Sequence, residues 1–169
     1  MQSGAVVGMK IEAVSTEFAT EFLNANHPLR AGGSLRGQAV CLAGYEYEWP
    51  MFLAVFVWPR SRWKHYKVLL ELSRLAWSPL CKHSASTFLR QCVRILRRTY
   101  GKGLIVTYAL PGTEGLLYER AGFYHDGYSG GASWSKRGPG ERLTPETIGT
   151  GRKLKRYFVE LGNKSWKQN

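Results

Sequence analysis

The alternation and clustering of apolar positions divide this chain into short strands around one long helix and two shorter ones. Met9 to Val14 reads as a short strand. Ser15 then stands where it would cap a helix through Phe18–Asn26, with Phe18, Phe22 and Leu23 on one face. His27-Pro28 closes that helix, because proline disfavours a helical residue before it. After the loop LRAGGSLRG, Gly37 to Tyr45 and Met51 to Trp58 read as a strand pair. MFLAVFVW is almost wholly apolar, as a strand covered on both faces would be. The basic stretch PRSRWKHYK interrupts, and VLLELSRLAW follows as a further strand. By simple alternation Glu71 and Ser73 fall on one of its faces and Arg74 on the other. A strand with polar residues on both faces is either an edge or bulged strand, or a strand that carries function.

Ser84 to Thr99 gives the clearest helical pattern, with Phe88, Leu89, Cys92, Val93 and Leu96 as its inner stripe. Arg90, Arg94, Arg97 and Arg98 lie mainly outside that stripe. Gly101 and Gly103 end the helix, and GLIVTYA reads as a buried strand. Pro111-Gly112 turns the chain. Thr113 is placed to cap a short helix through Tyr118 to Arg120, which Gly122 ends. FYHDGYSG and ASWSK read as a hairpin-like pair, with His125-Asp126 in a solvated turn. Gly138 to Lys153 is loop-rich, and LKRYFVEL is a last strand.

The 169 residues, 44% of them hydrophobic, suit one domain over residues 9–162, with residues 1–8 as an extension and 163–169 as a basic tail. A formal net charge of +12 favours a polyanionic partner, of which DNA or RNA is the usual one. Cys41, Cys81 and Cys92 are scattered without a CxxC, which argues against a zinc ribbon or disulfide framework and fits a reducing cytoplasm. No apolar run reaches transmembrane length, and the N-terminus lacks a signal-peptide pattern. His27, His65 and His125 with Asp126 share no metal-binding spacing. A metal requirement is left open, with His27 as the one candidate ligand.

The stretch LLYERAGFYHDG holds a tyrosine four residues before a Gly-Phe pair, at the end of a short helix. Such a tyrosine either packs under the sheet with its hydroxyl partnered or points into a cleft and gives up a proton. With the order of elements, this segment resembles the GNAT acyltransferases, whose motif after the fifth strand is often written YxxxGF. The resemblance implies an α/β fold with a mixed, mainly antiparallel central sheet and helices on both faces. Its fourth strand, VLLELSRLAW, would be bulged and splay from the fifth, GLIVTYA, with acyl-coenzyme A or another acyl donor held between them. The donor's pyrophosphate would rest on CKHSASTFLR, at Lys82, Ser84, Ala85, Ser86 and Thr87, where orphan N–H groups and the helix dipole suit an anion. The usual loop at that place is glycine-rich and led by glutamine or arginine, whereas KHSAS contains no glycine.

ELSRLAWSP, the serine-containing helix start and TYALPGTEGLLYERAGFYHDG together resemble more narrowly the phage Mom family, a divergent GNAT branch. That family modifies the exocyclic amine of adenine in DNA with a carbamoylmethyl-type group. This chain has Leu110 where the family tends to carry an acidic residue, and His27-Pro28 where it tends to carry a His-Tyr pair. The resemblance implies that Tyr118 protonates the departing thiolate, since tyrosine's reference pKa of about 10 lies above that of a typical thiol. A charged residue such as Arg74 is costly to bury unpaired. It would pair with Glu71 or Glu119, or bind the donor or a DNA phosphate. Ser86 would donate to the pyrophosphate or the acyl group, and Glu71 would be the amine's general base, directly or through water.

On the substrate side, Arg60, Arg62, Trp63, Lys64 and Lys67 mix cations with an aromatic, as phosphate contact and base stacking require. The segments holding Arg137 and Lys153, Lys155 and Arg156 add further charge. An enzyme acting on an amine within a duplex must take the base out of the stack. The expectation is therefore a GNAT-like transferase that modifies adenine in double-stranded DNA and protects phage DNA from restriction inside a bacterial cytoplasm. Two rivals stand beside it. One is an acetyl-coenzyme A-dependent N-acetyltransferase acting on tRNA, protein or a small amine. The other is a non-catalytic nucleic-acid-binding protein that keeps the fold.

Overall fold

The computed structural model describes residues 8–27, 35, 39–59, 68–109, 115–128 and 154–162. Its elements are β1 (Lys10–Val14), α1 (Thr16–Asn26), β2 (Ala39–Glu46), β3 (Trp49–Val57), β4 (Val68–Trp77), α2 (Ala85–Tyr100), β5 (Leu104–Ala109), α3 (Leu116–Arg120), β6 (Tyr124–Tyr128) and β7 (Lys155–Glu160). The two longer helices start at the serines that the sequence marks. Ser15 Oγ accepts the Phe18 N–H and Ser84 Oγ the Thr87 N–H, each at 3.2 Å. Gly101, at a φ of 74°, closes α2.

The strands form one seven-stranded sheet in the order β1-β2-β3-β4-β5-β7-β6. Its neighbours are antiparallel except for β4 and β5, which run parallel because α2 crosses between them. Helix α2 lays Phe88, Leu89, Cys92, Val93 and Leu96 on one face of the sheet, against Phe52, Phe56, Leu70 and Ile105. Phe88 stacks on Phe52 with ring centroids 5.1 Å apart. A side chain at Gly44 would meet the Phe88 ring at 2.7 Å, so glycine there lets the helix settle onto β2. Each fully buried Phe or Leu of that stripe contributes roughly 1.5–3 kcal/mol. Helix α1 covers the opposite face through Ala19, Phe22 and Leu23, packed with Cys41, Leu53 and Val55. Among the described residues no helix is long and apolar enough to cross a membrane.

Strand β4 does not alternate regularly. Against β3, Val55 pairs with Arg74 and Phe56 with Leu72, which leaves Ser73 as an extra residue on β4. A bulge of this kind reverses the side-chain parity beyond it. Glu71 lies opposite Val57 and Arg74 opposite Val55, two residues on one face of β3. Both side chains therefore belong to the α1 side of the sheet. This corrects the alternation read from sequence, which put them on opposite faces.

Two further expectations change. The short helix α3 begins at Gly115, in the left-handed region with a φ of 67°, without a side-chain cap. Thr113, expected as the cap, is outside the described residues. Tyr124–Tyr128 pairs with β7, whereas ASWSK, its expected partner, is outside the described residues. His125 and Asp126 thus belong to a strand, not a solvated turn, and Asp126 accepts from the Arg156 guanidinium at 2.8 and 3.2 Å.

Candidate active site

Strands β4 and β5 pair at Val68–Leu104, Leu70–Ile105 and Glu71–Val106, and there their ladder ends. Beyond it β4 continues with β3 as far as Trp77, and β5 with β7 as far as Ala109. The two strands therefore part, as the resemblance anticipates for the fourth and fifth strands. At the point of parting a side chain takes over from the ladder: Thr107 Oγ1 donates to Leu72 O at 3.2 Å.

The Tyr118 phenol stands beside the same Thr107 hydroxyl. The Tyr118 ring packs between Phe123 and Tyr157, at centroid distances of 6.0 and 5.4 Å. Burial pushes its phenol above the ordinary tyrosine value, and Thr107 offsets part of that. The hydroxyl therefore holds its proton through neutral pH. Tyr118 thus packs against the sheet on the face that α2 covers.

On the other face of the same gap stand Arg74 and Glu71. Burial lowers the affinity of the Arg74 guanidinium for its proton, and the Glu71 carboxylate raises it again. One Arg74 nitrogen donates to Ser73 O at 2.8 Å, while its Nε is buried without a hydrogen-bond partner. His27 caps α1, its N–H donating to Leu23 O at 2.9 Å. Burial and then the Arg74 charge lower its pKa. Among the described residues no three His, Cys, Asp or Glu side chains gather as metal ligands.

The start of α2 holds Ser84, Ala85, Ser86 and Thr87. Ser84 Oγ lies 3.1 Å from Ser86 Oγ and 2.8 Å from Thr87 Oγ1. Ser86 is buried and already partnered, so an incoming group would have to share its hydroxyl. The Lys82 ammonium lies over the Tyr47 ring, 5.4 Å from its centroid. Of the expected nucleic-acid contacts, Arg60, Arg62, Trp63, Lys64, Lys67, Arg137 and Lys153 are outside the described residues. Lys155 and Arg156 lie on β7, away from α1, and Arg156 is engaged by Asp126.

Three residues at this site escaped the sequence reading. Thr107 was hidden in an apolar strand, Tyr157 in a strand distant in sequence, and Glu46 in a hairpin tip. The signal for Glu46 was an acidic residue ending the otherwise apolar AVCLAGYE.

No family model and no curated protein matches the chain. Solved structures do. A Bacillus subtilis acetyltransferase in complex with CoA superposes with a TM-score of 0.61 at 10% identity, covering 90% of this chain and 99% of that one. An IAA acetyltransferase from Bacillus cereus gives 0.63 at 14% identity, covering 90% and 99%. A Desulfovibrio desulfuricans protein assigned to the GNAT family of acetyltransferases gives 0.63 at 14% identity, covering 92% and 100%. The fold is that of the GNAT acetyltransferases.

Proposed function

We propose that this protein is a GNAT-like acyltransferase that takes an acyl-coenzyme A-type donor between β4 and β5 and modifies the exocyclic amine of adenine in DNA, in the manner of the Mom family. The observation that carries the transferase reading is the parting of β4 from β5, with Tyr118 on one side of the gap and Arg74 and Glu71 on the other. The CoA bound to the Bacillus subtilis neighbour supports the choice of donor. The backbone groups of β4 and β5 that leave their common ladder suit the amides of an extended donor arm. The first turn of α2, with the Lys82 ammonium nearby, suits its pyrophosphate.

In this reading the parted strands hold the thioester. The adenine amine attacks its carbonyl, the carbon–sulfur bond breaks, and an amide forms, so the product of this step is an N-acyl adenine rather than the carbamoylmethyl adenine of the Mom family. Glu71 receives the proton that the amine loses, directly or through water. Tyr118 gives its proton to the departing thiolate. The amine's lone pair is delocalised into the ring, so positioning contributes more than base strength.

The charge of the chain supports a nucleic-acid acceptor. Helix α2 carries four arginines and no acidic residue. Arg90, Arg94 and Arg98 are exposed at a spacing of four. Like charges at that spacing cost helix stability, whereas a polyanion turns the cost into attraction. Mass spectrometry of nucleosides from DNA of cells expressing the protein tests the proposal. A modified adenine that is lost with Tyr118→Phe is the expected result. Unmodified DNA with the wild-type protein overturns the adenine assignment. Labelled acetyl-coenzyme A offered with tRNA, protein and small amines then tests the first rival.

A further inference from the structure

The acidic residue at the tip of the β2–β3 hairpin is the best-partnered buried group near the candidate site. Glu46 is 4% exposed and ends β2 on the face that packs α2, two positions beyond Gly44. Its carboxylate accepts the Lys82 N–H at 2.9 and 3.0 Å and the His83 N–H at 2.8 Å, and lies 2.7 Å from His83 Nδ1. These partners are the residues that lead into α2. The hairpin makes a second contact with them, because Tyr47, held at a φ of 54°, carries the Lys82 ammonium over its ring. Strain of that kind in a non-glycine residue persists only where its surroundings over-determine it.

A free carboxylate buried here would be costly, and burial alone would raise its pKa. Two backbone donors and the imidazole outweigh burial and hold the carboxyl below its ordinary value. Glu46 is thus an anion built into the protein, seated on the N–H groups just before the helix. The N–H groups of Ala85 and Ser86, just beyond Ser84, fall in the first helical turn, where an α-helix supplies no carbonyl partner. The segment Lys82–Ser86 contains no glycine, and this carboxylate holds its first two N–H groups.

We propose that Glu46 is a positioning residue of the donor site: it seats Lys82–Ser86 so that the N–H groups of Ala85 and Ser86 and the Lys82 ammonium converge on the donor's pyrophosphate. This rests on the proposed acyl-coenzyme A donor. Glu46 touches neither the donor nor the reacting atoms. Its carboxylate takes the Lys82 and His83 N–H groups, which would otherwise turn toward any anion, and leaves those of Ala85 and Ser86 as the cradle.

The test uses coenzyme A itself as the probe, titrated calorimetrically into the full chain. Glu46→Gln keeps the size and loses the charge, so only one oxygen remains for two N–H donors. It is expected to fold, by circular dichroism and a cooperative melt, and to bind coenzyme A about tenfold more weakly, the scale of one charge-assisted hydrogen bond. Glu46→Asp keeps the charge and is expected to recover part of the affinity, which a loss of packing alone would not do. It also serves if Glu46→Gln does not fold. Unchanged or tighter binding by the Gln variant overturns the proposal, as does an Asp variant no better than the Gln variant. Where the wild-type chain itself binds no coenzyme A, the donor reading fails and the Glu46 proposal with it. Where the wild type binds and the Gln variant binds equally, only the Glu46 proposal fails.

Discussion

Thr107 Oγ1 donates to Leu72 O at the point where β4 and β5 separate, and the Tyr118 phenol stands beside that Thr107. The phenol, the threonine hydroxyl and a β4 carbonyl thus lie in a short row. A donor lying in the gap would meet the Tyr118 end of it.

Tyr118→Phe removes one hydroxyl from that row and leaves the ring contacts in place. Its melting temperature is expected to stay near the wild-type value while modification falls by a factor of roughly a hundred to ten thousand, the usual share of general acid catalysis. Because burial raises the Tyr118 pKa, the wild-type rate should show no loss of this acid below the ordinary tyrosine value of about 10. A pH–rate profile with an alkaline limb well below that value removes Tyr118 from the role.

Thr107→Val deletes the hydroxyl beside Tyr118 and keeps the shape. The loss of a buried hydrogen bond is expected to cost about 1 kcal/mol of stability. Activity should fall less than in Tyr118→Phe, because the Tyr118 proton stays. Parallel melts and nucleoside assays of the two variants check the order.

Arg74 separates function from stability. Its buried Nε lacks a partner and burial disfavours its charge. Replacing it by methionine keeps most of the packing and removes the buried charge. Arg74→Met is expected to be as stable as wild type or more so, by thermal melt, while modification activity is lost. Arg74→Ala should lose stability as well, through lost contacts.

Acid should loosen the start of α2. The Glu46 carboxyl is held below the ordinary glutamate value of about 4.3, so its contribution is fully present above that pH and is lost as pH falls through the lowered value. Glu46→Ala leaves two backbone N–H groups without their acceptor and is expected to cost roughly 2–4 kcal/mol at neutral pH. Denaturant melts at several pH values should show wild type and Glu46→Ala converging as acidity rises.

The arginines of α2 bear on the acceptor. Replacing Arg90, Arg94 and Arg98 together by glutamine is expected to weaken duplex binding and to flatten its salt dependence by about 0.9 log units per lost phosphate contact. Fluorescence anisotropy at two salt concentrations measures this. An unchanged slope removes α2 from the nucleic-acid surface.

Local chemistry explains which parts of this molecule were legible in its sequence. The run VLLELSRLAW and the serine caps of α1 and α2 carry their signals within a few residues, and those elements form where expected. The Ser73 bulge has no such signal, because it arises from register against β3, and it turned Arg74 to the face of Glu71. The Glu46 contacts span 36 and 37 residues of chain. The place of β7 between β5 and β6 is equally non-local, and the expected hairpin was the local alternative.

Gly115 lies under Tyr157, where a Cβ would fall 1.9 Å from the phenol oxygen, and the same Tyr157 ring packs on Tyr118. Tyr157 belongs to the last strand of the sheet, which enters between two strands made earlier. A ribosome therefore finishes β5, α3 and β6 before it delivers the residue that wedges them together. Until that strand inserts, β5 and β6 present bare edges and Tyr118 lacks one wall of its pocket. This half of the site is therefore assembled only once β7 has been made and has inserted between β5 and β6.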